Sequence, residues 1–300
     1  MSEMVGNPVV EYRNTGLAEA TETHAGAQAQ TEIVGTGGVT QTPLIKTLMA
    51  EFIGTFAILF VGISTVYWAI SDPLSVGIAT GLVVGAMVCM FAGLGSGHFN
   101  PAITLGMLVA GRTSFSRALA MMATQIGAAA IAAFMLVSIL GDNEIVRWTE
   151  VRPDGAVYTP KPVETAVPNI PPRIVDGVPA AETPRVSTSK AIMIEAMLAF
   201  FWGAAFFALI ARGRNPILGG LAVGAVVTAM IFCCFVLTGA AMNPVRAFGP
   251  ALASGTWANQ LIYWIGPLLG GALAGLVCGR ILFPAEKQSD DTEALPTFSR

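Results

Sequence analysis

The chain has few charged residues. Asp, Glu, Lys and Arg make up 12% of its 300 residues, against roughly 25% in ordinary soluble domains. The formal net charge is -3, so the basic surface that nucleic acids require is missing as well. The sequence is instead 54% hydrophobic, with a mean hydropathy of +0.66. This composition identifies an integral, multi-pass membrane protein whose surroundings are the lipid bilayer.

Clusters of metal-binding or nucleophilic side chains are also missing. The four cysteines lie inside apolar segments, and none has the spacing of a metal site. The sequence contains no phosphate-binding loop, nucleotide fingerprint or redox motif. One histidine, His98, with scattered hydroxyls does not make a catalytic centre. We therefore predict no catalytic residue, no metal and no cofactor, and we do not expect an enzyme.

The two ends of the chain lack apolar segments. The start has no basic region followed by an apolar run, so we expect no signal peptide. Residues 1–43 are rich in Gly, Thr, Glu and Ala without helical or strand periodicity, and we interpret them as a disordered tail. Residues 284–300 form a second polar tail. The functional domain is therefore predicted to occupy residues 44–283.

Six apolar segments of this domain are long enough to cross a bilayer. They are 44–69, 74–94, 118–140, 191–210, 217–237 and 261–283. Two further apolar segments, 102–110 and one that ends at 253, are too short. About ten residues of helix cover roughly 15 Å, half of a ~30 Å hydrocarbon core. We predict an all-α membrane protein with six transmembrane helices and two re-entrant half-helices.

The domain consists of two copies of one pattern. The half-helices start at Asn100-Pro101-Ala102 and Asn243-Pro244-Val245, an offset of 243 − 100 = 143 residues. Single acids in the first span of each copy, Glu51 and Glu195, are 144 residues apart. The repeats are 44–140 and 190–283, joined by a Pro-rich loop, 141–189. Because each repeat has three spans, the second enters from the opposite side, as an inverted repeat.

This inversion brings the two Asn-Pro turns together near the membrane midplane. Non-helical backbone is tolerated there only if it is buried in protein or lines a wet cavity. Two facing helix N-termini supply partial positive charge and free N–H groups, and asparagine can cap its helix while offering an amide donor. Arg246 adds a full charge nearby. The pattern predicts a constriction that disfavours cations and protons and accepts neutral hydrogen-bonding molecules.

The buried acids leave a second interpretation open. Glu51 and Glu195 could couple transport to protons or sodium, which would make the chain a secondary transporter of a small polar solute. Alternatively, each carboxylate accepts hydrogen bonds from backbone N–H groups and holds its Asn-Pro turn. The matched positions of the two acids favour this support role. For His98 we expect a loop-fixing or pore-lining role rather than a pH switch.

Basic residues indicate the orientation. Those of the short connections fall on one side of the six-span arrangement: Lys46, Arg112, Arg117, Arg212, Arg214, Arg280 and Lys287. The positive-inside rule then places both termini in the cytoplasm and the 141–189 loop outside. We expect the cell membrane to be the site of insertion.

Three motifs resemble those of the aquaporins, the major intrinsic protein family. They are Ala50–Phe56, Ser96–Gly106 and Met242–Ala251, and the resemblance covers about 44–283. The resemblance implies an hourglass pore in each subunit, a homotetramer, and passive conduction of water or small neutral solutes. The family's aromatic/arginine filter would fall on Thr80, Ile231, Ala240 and Arg246.

The solute range implied by the resemblance is mixed. Strict water channels have Phe, His and Thr at the first three filter positions, so this chain's smaller or aliphatic residues imply a wider, less polar filter. Val245 in place of Ala is similar to plant nodulin-like channels that pass urea or boric acid. Ala247 replaces the Asp of glycerol facilitators, and Tyr263-Trp264 resembles the water-channel pattern. Water is the expected substrate, with urea, glycerol or boric acid as possible further solutes.

Overall fold

A computed structural model shows how the spans are arranged. It describes residues 42–69, 72–140, 150–151, 157–158, 166–170, 172–175, 178–211 and 215–285. The predicted tails, 1–43 and 284–300, therefore lie almost entirely outside the described residues, as do Arg212, Arg214 and Lys287.

Within these described ranges, six helices are long and apolar enough to cross a membrane, which confirms the predicted spans. They are α1 (Leu44–Ala69), α2 (Pro73–Phe91), α4 (Phe115–Leu140), α5 (Thr188–Leu209), α6 (Pro216–Thr238) and α8 (Gln260–Ala274), the last of which continues as a π-helix over Gly275–Leu282. A 3₁₀ turn, Ala92–Leu94, follows α2. The half-helices are α3 (Pro101–Val109) and α7 (Pro244–Ser254).

The described parts of the long connection between the repeats contain four short strands, which the all-α prediction did not include. Strand β1 (Glu150–Val151) pairs antiparallel with β2 (Val157–Tyr158). Strand β3 (Pro172–Val175) pairs antiparallel with β4 (Val178–Pro184), with Val175 opposite Val178. Each pair forms a separate two-stranded sheet.

The helix packing has the symmetry expected of an inverted repeat. Within the first repeat α1 packs on α4, and within the second α5 packs on α8. Each half-helix contacts the last span of the other repeat: α3 lies against α8, and α7 lies against α4. The two repeats are thus interlocked around their half-helices, and this positions the two Asn-Pro turns.

The most extensive contact joins α2 to α6 across the two repeats, and glycines make it possible. Gly81 lies so close to α6 that an added Cβ would be 2.5 Å from the Gly224 carbonyl oxygen and would overlap the Thr228 hydroxyl. That hydroxyl donates to the Gly77 carbonyl at 3.0 Å. Small residues of this kind let transmembrane helices approach closely.

Gly81→Ala should therefore destabilise the protein. Because a backbone carbonyl cannot move aside as a side chain can, we expect a loss of about 1–3 kcal/mol, typical of overpacking. Gly127→Ala is the matched control, since an added Cβ there meets nothing within 4 Å. Thermal unfolding in detergent should show a lower midpoint for Gly81→Ala alone. Equal midpoints for the two variants would contradict close packing of α2 on α6.

Candidate functional site

The two Asn-Pro turns begin the half-helices and are built alike. Asn100 caps α3 with its side-chain oxygen, which accepts from Ala102 N–H at 2.8 Å. Asn243 caps α7 in the same way, accepting from Val245 N–H at 3.2 Å. Proline follows each asparagine at the first helical position, where its missing N–H is no loss.

The side-chain amides then connect the two turns to each other. Asn100 Nδ2 donates to the Met242 carbonyl at 3.0 Å, and Asn243 Nδ2 donates to the Phe99 carbonyl at 3.0 Å. Each asparagine is almost completely buried. An amide nitrogen carries two hydrogens, so each asparagine keeps a second N–H after bonding to the opposite turn. The half-helices therefore meet N-terminus to N-terminus, through two reciprocal bonds.

Each turn is held from behind by one buried carboxylate. Glu51 accepts from the backbone N–H of His98 at 2.9 Å and of Phe99 at 2.8 Å. Glu195 accepts from the backbone N–H of Ala241 at 3.1 Å and of Met242 at 2.7 Å. In both repeats the two donors directly precede the asparagine. The structure thus gives both acids the geometry of the predicted support role.

The carboxylates bind backbone that has an unfavourable conformation. Phe99 and Met242, the residues just before the asparagines, have φ angles of 51° and 55°. This left-handed region costs a residue with a Cβ roughly 1–2 kcal/mol. Hydrogen bonds from backbone N–H groups to a charged acceptor, worth about 1.5–3 kcal/mol each, offset that cost. The bonds to Glu51 and Glu195 therefore stabilise the backbone conformation that turns each asparagine towards the other.

The first repeat adds a polar cluster that the sequence did not reveal. Gln125 of α4 donates to Glu51 at 2.7 Å and to the Thr104 hydroxyl at 3.0 Å. His98 Nδ1 lies 3.2 Å from the same hydroxyl, and its ring is 4% exposed. His98 is not among the residues that line the cavity described below, and its loop-fixing or pore-lining role stays a prediction. The one sequence feature that could have indicated this cluster is Gln125, a lone amide within an apolar span.

The second repeat has a smaller polar cluster. The Thr238 hydroxyl donates to Glu195 at 2.6 Å and accepts from Ala240 N–H at 3.2 Å. The Tyr263 hydroxyl donates to the Thr238 carbonyl at 2.8 Å. Among the described residues Glu195 thus accepts three hydrogen bonds, whereas Glu51 accepts four because Ser96 and Gln125 both donate to it.

A cavity lies on the Asn243 side of the meeting point. The second Asn-Pro turn, α1, α2, α5, α6 and α7 all contribute to its wall. The four predicted filter residues, Thr80, Ile231, Ala240 and Arg246, all line it, and Asn243 does too. Ile58 and Trp202 also line it, and sequence reasoning missed both. Each lies in a span that is apolar on every side, where the pattern does not show which face meets the lumen.

Arg246 is fixed by the loop between the repeats. Its Nη1 donates to the carbonyl of Ala166, which is 1% exposed. The neighbouring Pro168 packs on Gly239, which lines the cavity. Asn169 accepts a hydrogen bond from the Asn259 side chain at 2.7 Å. The Ala166 carbonyl therefore holds the guanidinium of Arg246, and Pro168 lies against a residue of the cavity wall.

Ala240 has a left-handed backbone conformation, and the equivalent residue of the other repeat is a glycine. Its φ is 43°, and the equivalent residue, 240 − 143 = 97, is a glycine with a φ of 98°. Gly97→Ala should lower the free energy of unfolding by about 1 kcal/mol or more, because alanine resists positive φ. Ala240→Gly should cause no such loss. Thermal unfolding of both variants in detergent tests this, and a stable Gly97→Ala protein would contradict the strain.

Comparisons with known proteins identify the family of this chain. The family model described as Major intrinsic protein matches residues 38–278. Aquaporin TIP4-1 from Zea mays is 32% identical over 246 residues, covering 78% of this chain and 84% of the relative. The lens fiber major intrinsic protein of Lithobates pipiens is 31% identical, covering 80% and 82%.

A solved structure shows the same fold. The aquaglyceroporin from Plasmodium falciparum superposes with a TM-score of 0.61 at 17% identity, covering 80% of this chain and 97% of that one. The six spans, the paired half-helices and the family match all agree. The chain is an integral, multi-pass membrane protein that belongs to the major intrinsic protein family of membrane channels.

Proposed function

We propose that this chain is a passive channel that conducts water and small neutral solutes and excludes ions and protons. The observation that carries the proposal is the pair of reciprocally bonded asparagines beside a cavity that also contains Arg246. Helix N-termini and an arginine make the path electropositive, which opposes cations and protons. Neutral molecules with an acceptor oxygen can exchange hydrogen bonds along it.

Two further observations support a channel over a coupled transporter. Glu51 and Glu195 do not line the cavity, and each accepts several hydrogen bonds from its own loop. A coupling acid would need access to the transported ion. The relatives are also named as aquaporins. A channel of this kind should show flux that follows the osmotic or concentration gradient alone.

The test is stopped-flow light scattering on proteoliposomes of the full chain. An impermeant osmolyte reports water, and urea or glycerol reports solutes by re-swelling. We expect water flux well above that of empty liposomes, unchanged by a proton or sodium gradient. Flux that needs such a gradient would favour the transporter, and no flux above empty liposomes would reject the open channel.

The proposed setting is a homotetramer in the cell membrane with both termini in the cytoplasm. The exposed apolar residues of the spans suit both lipid and a neighbouring subunit. Mass measurement of the detergent-solubilised protein tests the tetramer. Protease digestion of sealed cells tests the orientation, because only the 141–189 loop should be cut from outside.

A further inference from the structure

Two residues at equivalent positions of the repeats face the cavity. Ile58 follows Glu51 by 58 − 51 = 7 residues, and Trp202 follows Glu195 by 202 − 195 = 7 residues. Both line the cavity together with Asn243. The inverted repeat thus places one side chain from α1 and one from α5 on this path, an aliphatic side chain in the first repeat and an indole in the second.

Their depth in the membrane is also equivalent. Ile58 lies 58 − 44 = 14 residues from the start of α1, and Trp202 lies 202 − 188 = 14 residues from the start of α5. At 1.5 Å per residue, each is about 21 Å along its helix. The two helices enter from opposite sides, so the two positions are related by the inverted repeat, and both side chains reach the cavity that Asn243 lines.

The indole nitrogen of Trp202 has no hydrogen-bond partner within the described part of the chain, although the side chain is only 2% exposed. Buried donors are almost always paired, since an unpaired one is costly. A tryptophan placed in a core usually reaches a partner with its N–H. Because the Trp202 side chain lines the cavity, the acceptor that we infer for this N–H is a molecule inside the cavity.

We propose that Trp202 is a specificity-determining residue of the channel, setting the solute range in the cavity beside Asn243. The flat indole narrows the path opposite Ile58, and its N–H donates to an acceptor oxygen of the solute. This inference rests on the proposed channel function and refines it. Thr80, Ile231 and Ala240 leave the outer filter open, so Trp202 limits passage to water and flat molecules of urea size, and excludes bulkier polyols such as glycerol.

Trp202→Ile tests the role of the ring. The first repeat already has an isoleucine at the equivalent position, so the fold can accommodate an aliphatic side chain there. Glycerol flux should rise about tenfold or more, the effect expected when a steric restriction of this size is removed from an apolar site. Water flux should change little. Trp257→Ile is the matched control, because Trp257 is 50% exposed and does not line the cavity.

Trp202→Phe separates the ring from its N–H. Phenylalanine keeps a flat aromatic wall, so glycerol should stay excluded. Urea flux should fall roughly threefold, because one neutral hydrogen bond to the solute is lost. This variant also decides the question if Trp202→Ile does not fold, since it changes the volume of the side chain least.

The outcomes distinguish this inference from the proposed function. If wild-type liposomes conduct no more water than empty ones, the channel function itself fails. If the wild type conducts water but both Trp202 variants keep its urea-to-water and glycerol-to-water ratios, Trp202 does not determine specificity. A raised glycerol ratio in Trp257→Ile as well would also overturn the inference, because the effect would not be specific to the cavity.

Discussion

Glu51→Leu should leave little folded channel. The carboxylate accepts hydrogen bonds from four groups: Ser96 Oγ, His98 N, Phe99 N and Gln125 Nε2. All four would be left without this acceptor in a buried site, and each buried donor that stays unpaired costs about 1–3 kcal/mol. Such a loss is a large fraction of the stability of a typical protein. The amount of monodisperse protein after mild heating in detergent, measured by size-exclusion chromatography, checks this.

Two controls show whether the backbone donors cause the effect. Gln125→Leu removes one side-chain donor but leaves the bonds to His98 and Phe99, so we expect a clearly smaller loss. Glu195→Leu should fall between the two, because Glu195 accepts from three groups in the described structure. If Glu51→Leu were as stable as wild type, the carboxylate would not be what holds the first Asn-Pro turn.

Glu51→Gln distinguishes support from coupling. A glutamine has one acceptor oxygen, whereas the two carboxylate oxygens accept separately from His98 N–H and Phe99 N–H. The glutamine NH₂ group would face one of these backbone N–H donors, so we expect lower stability. Water flux should still not depend on an ion gradient. A stable variant that loses gradient-driven flux would identify a coupling acid instead.

The sequence predicted the spans and their symmetry because both depend on information along the chain. The membrane fixes the length of an apolar span, so the predicted first span, 44–69, coincides with α1. The constant offset between Asn100 and Asn243 revealed the repeat. The half-helices followed from their short length and their Asn-Pro starts, which together favour a helix N-terminus at membrane depth.

The parts that were missed depend on contacts between distant segments. Which face of an all-apolar helix meets the lumen is not written in its periodicity, so Ile58 and Trp202 could not be assigned to the cavity. The bond from Arg246 to the Ala166 carbonyl joins residues 80 apart through a backbone atom, which no side-chain pattern marks. The filter positions were located only by counting from the asparagines along a resemblance, and their role as a filter stays a prediction.

Arg246→Ala should make the channel leak cations and protons. A unit positive charge acting on a monovalent cation 4 Å away contributes about 4 kcal/mol of repulsion at an effective dielectric constant of 20. Removing it could raise cation passage by up to about three orders of magnitude, since each 1.36 kcal/mol is tenfold. The half-helix N-termini keep their partial charges, so the leak should fall short of this limit. Proteoliposomes with a pH-sensitive dye and an imposed potential measure it.

Arg185→Ala is the matched control for this prediction. Arg185 is also an arginine that donates to a backbone carbonyl, that of Val236 at 3.0 Å, but it is exposed and does not line the cavity. Its loss should leave ion exclusion intact. Arg246→Lys adds a second comparison, because lysine keeps the charge but lacks the planar fork of donors. Restored ion exclusion with altered solute flux in this variant would show that the charge excludes cations and the geometry selects solutes. If the Arg246→Ala channel conducted no cations or protons, the half-helix N-termini alone would account for their exclusion.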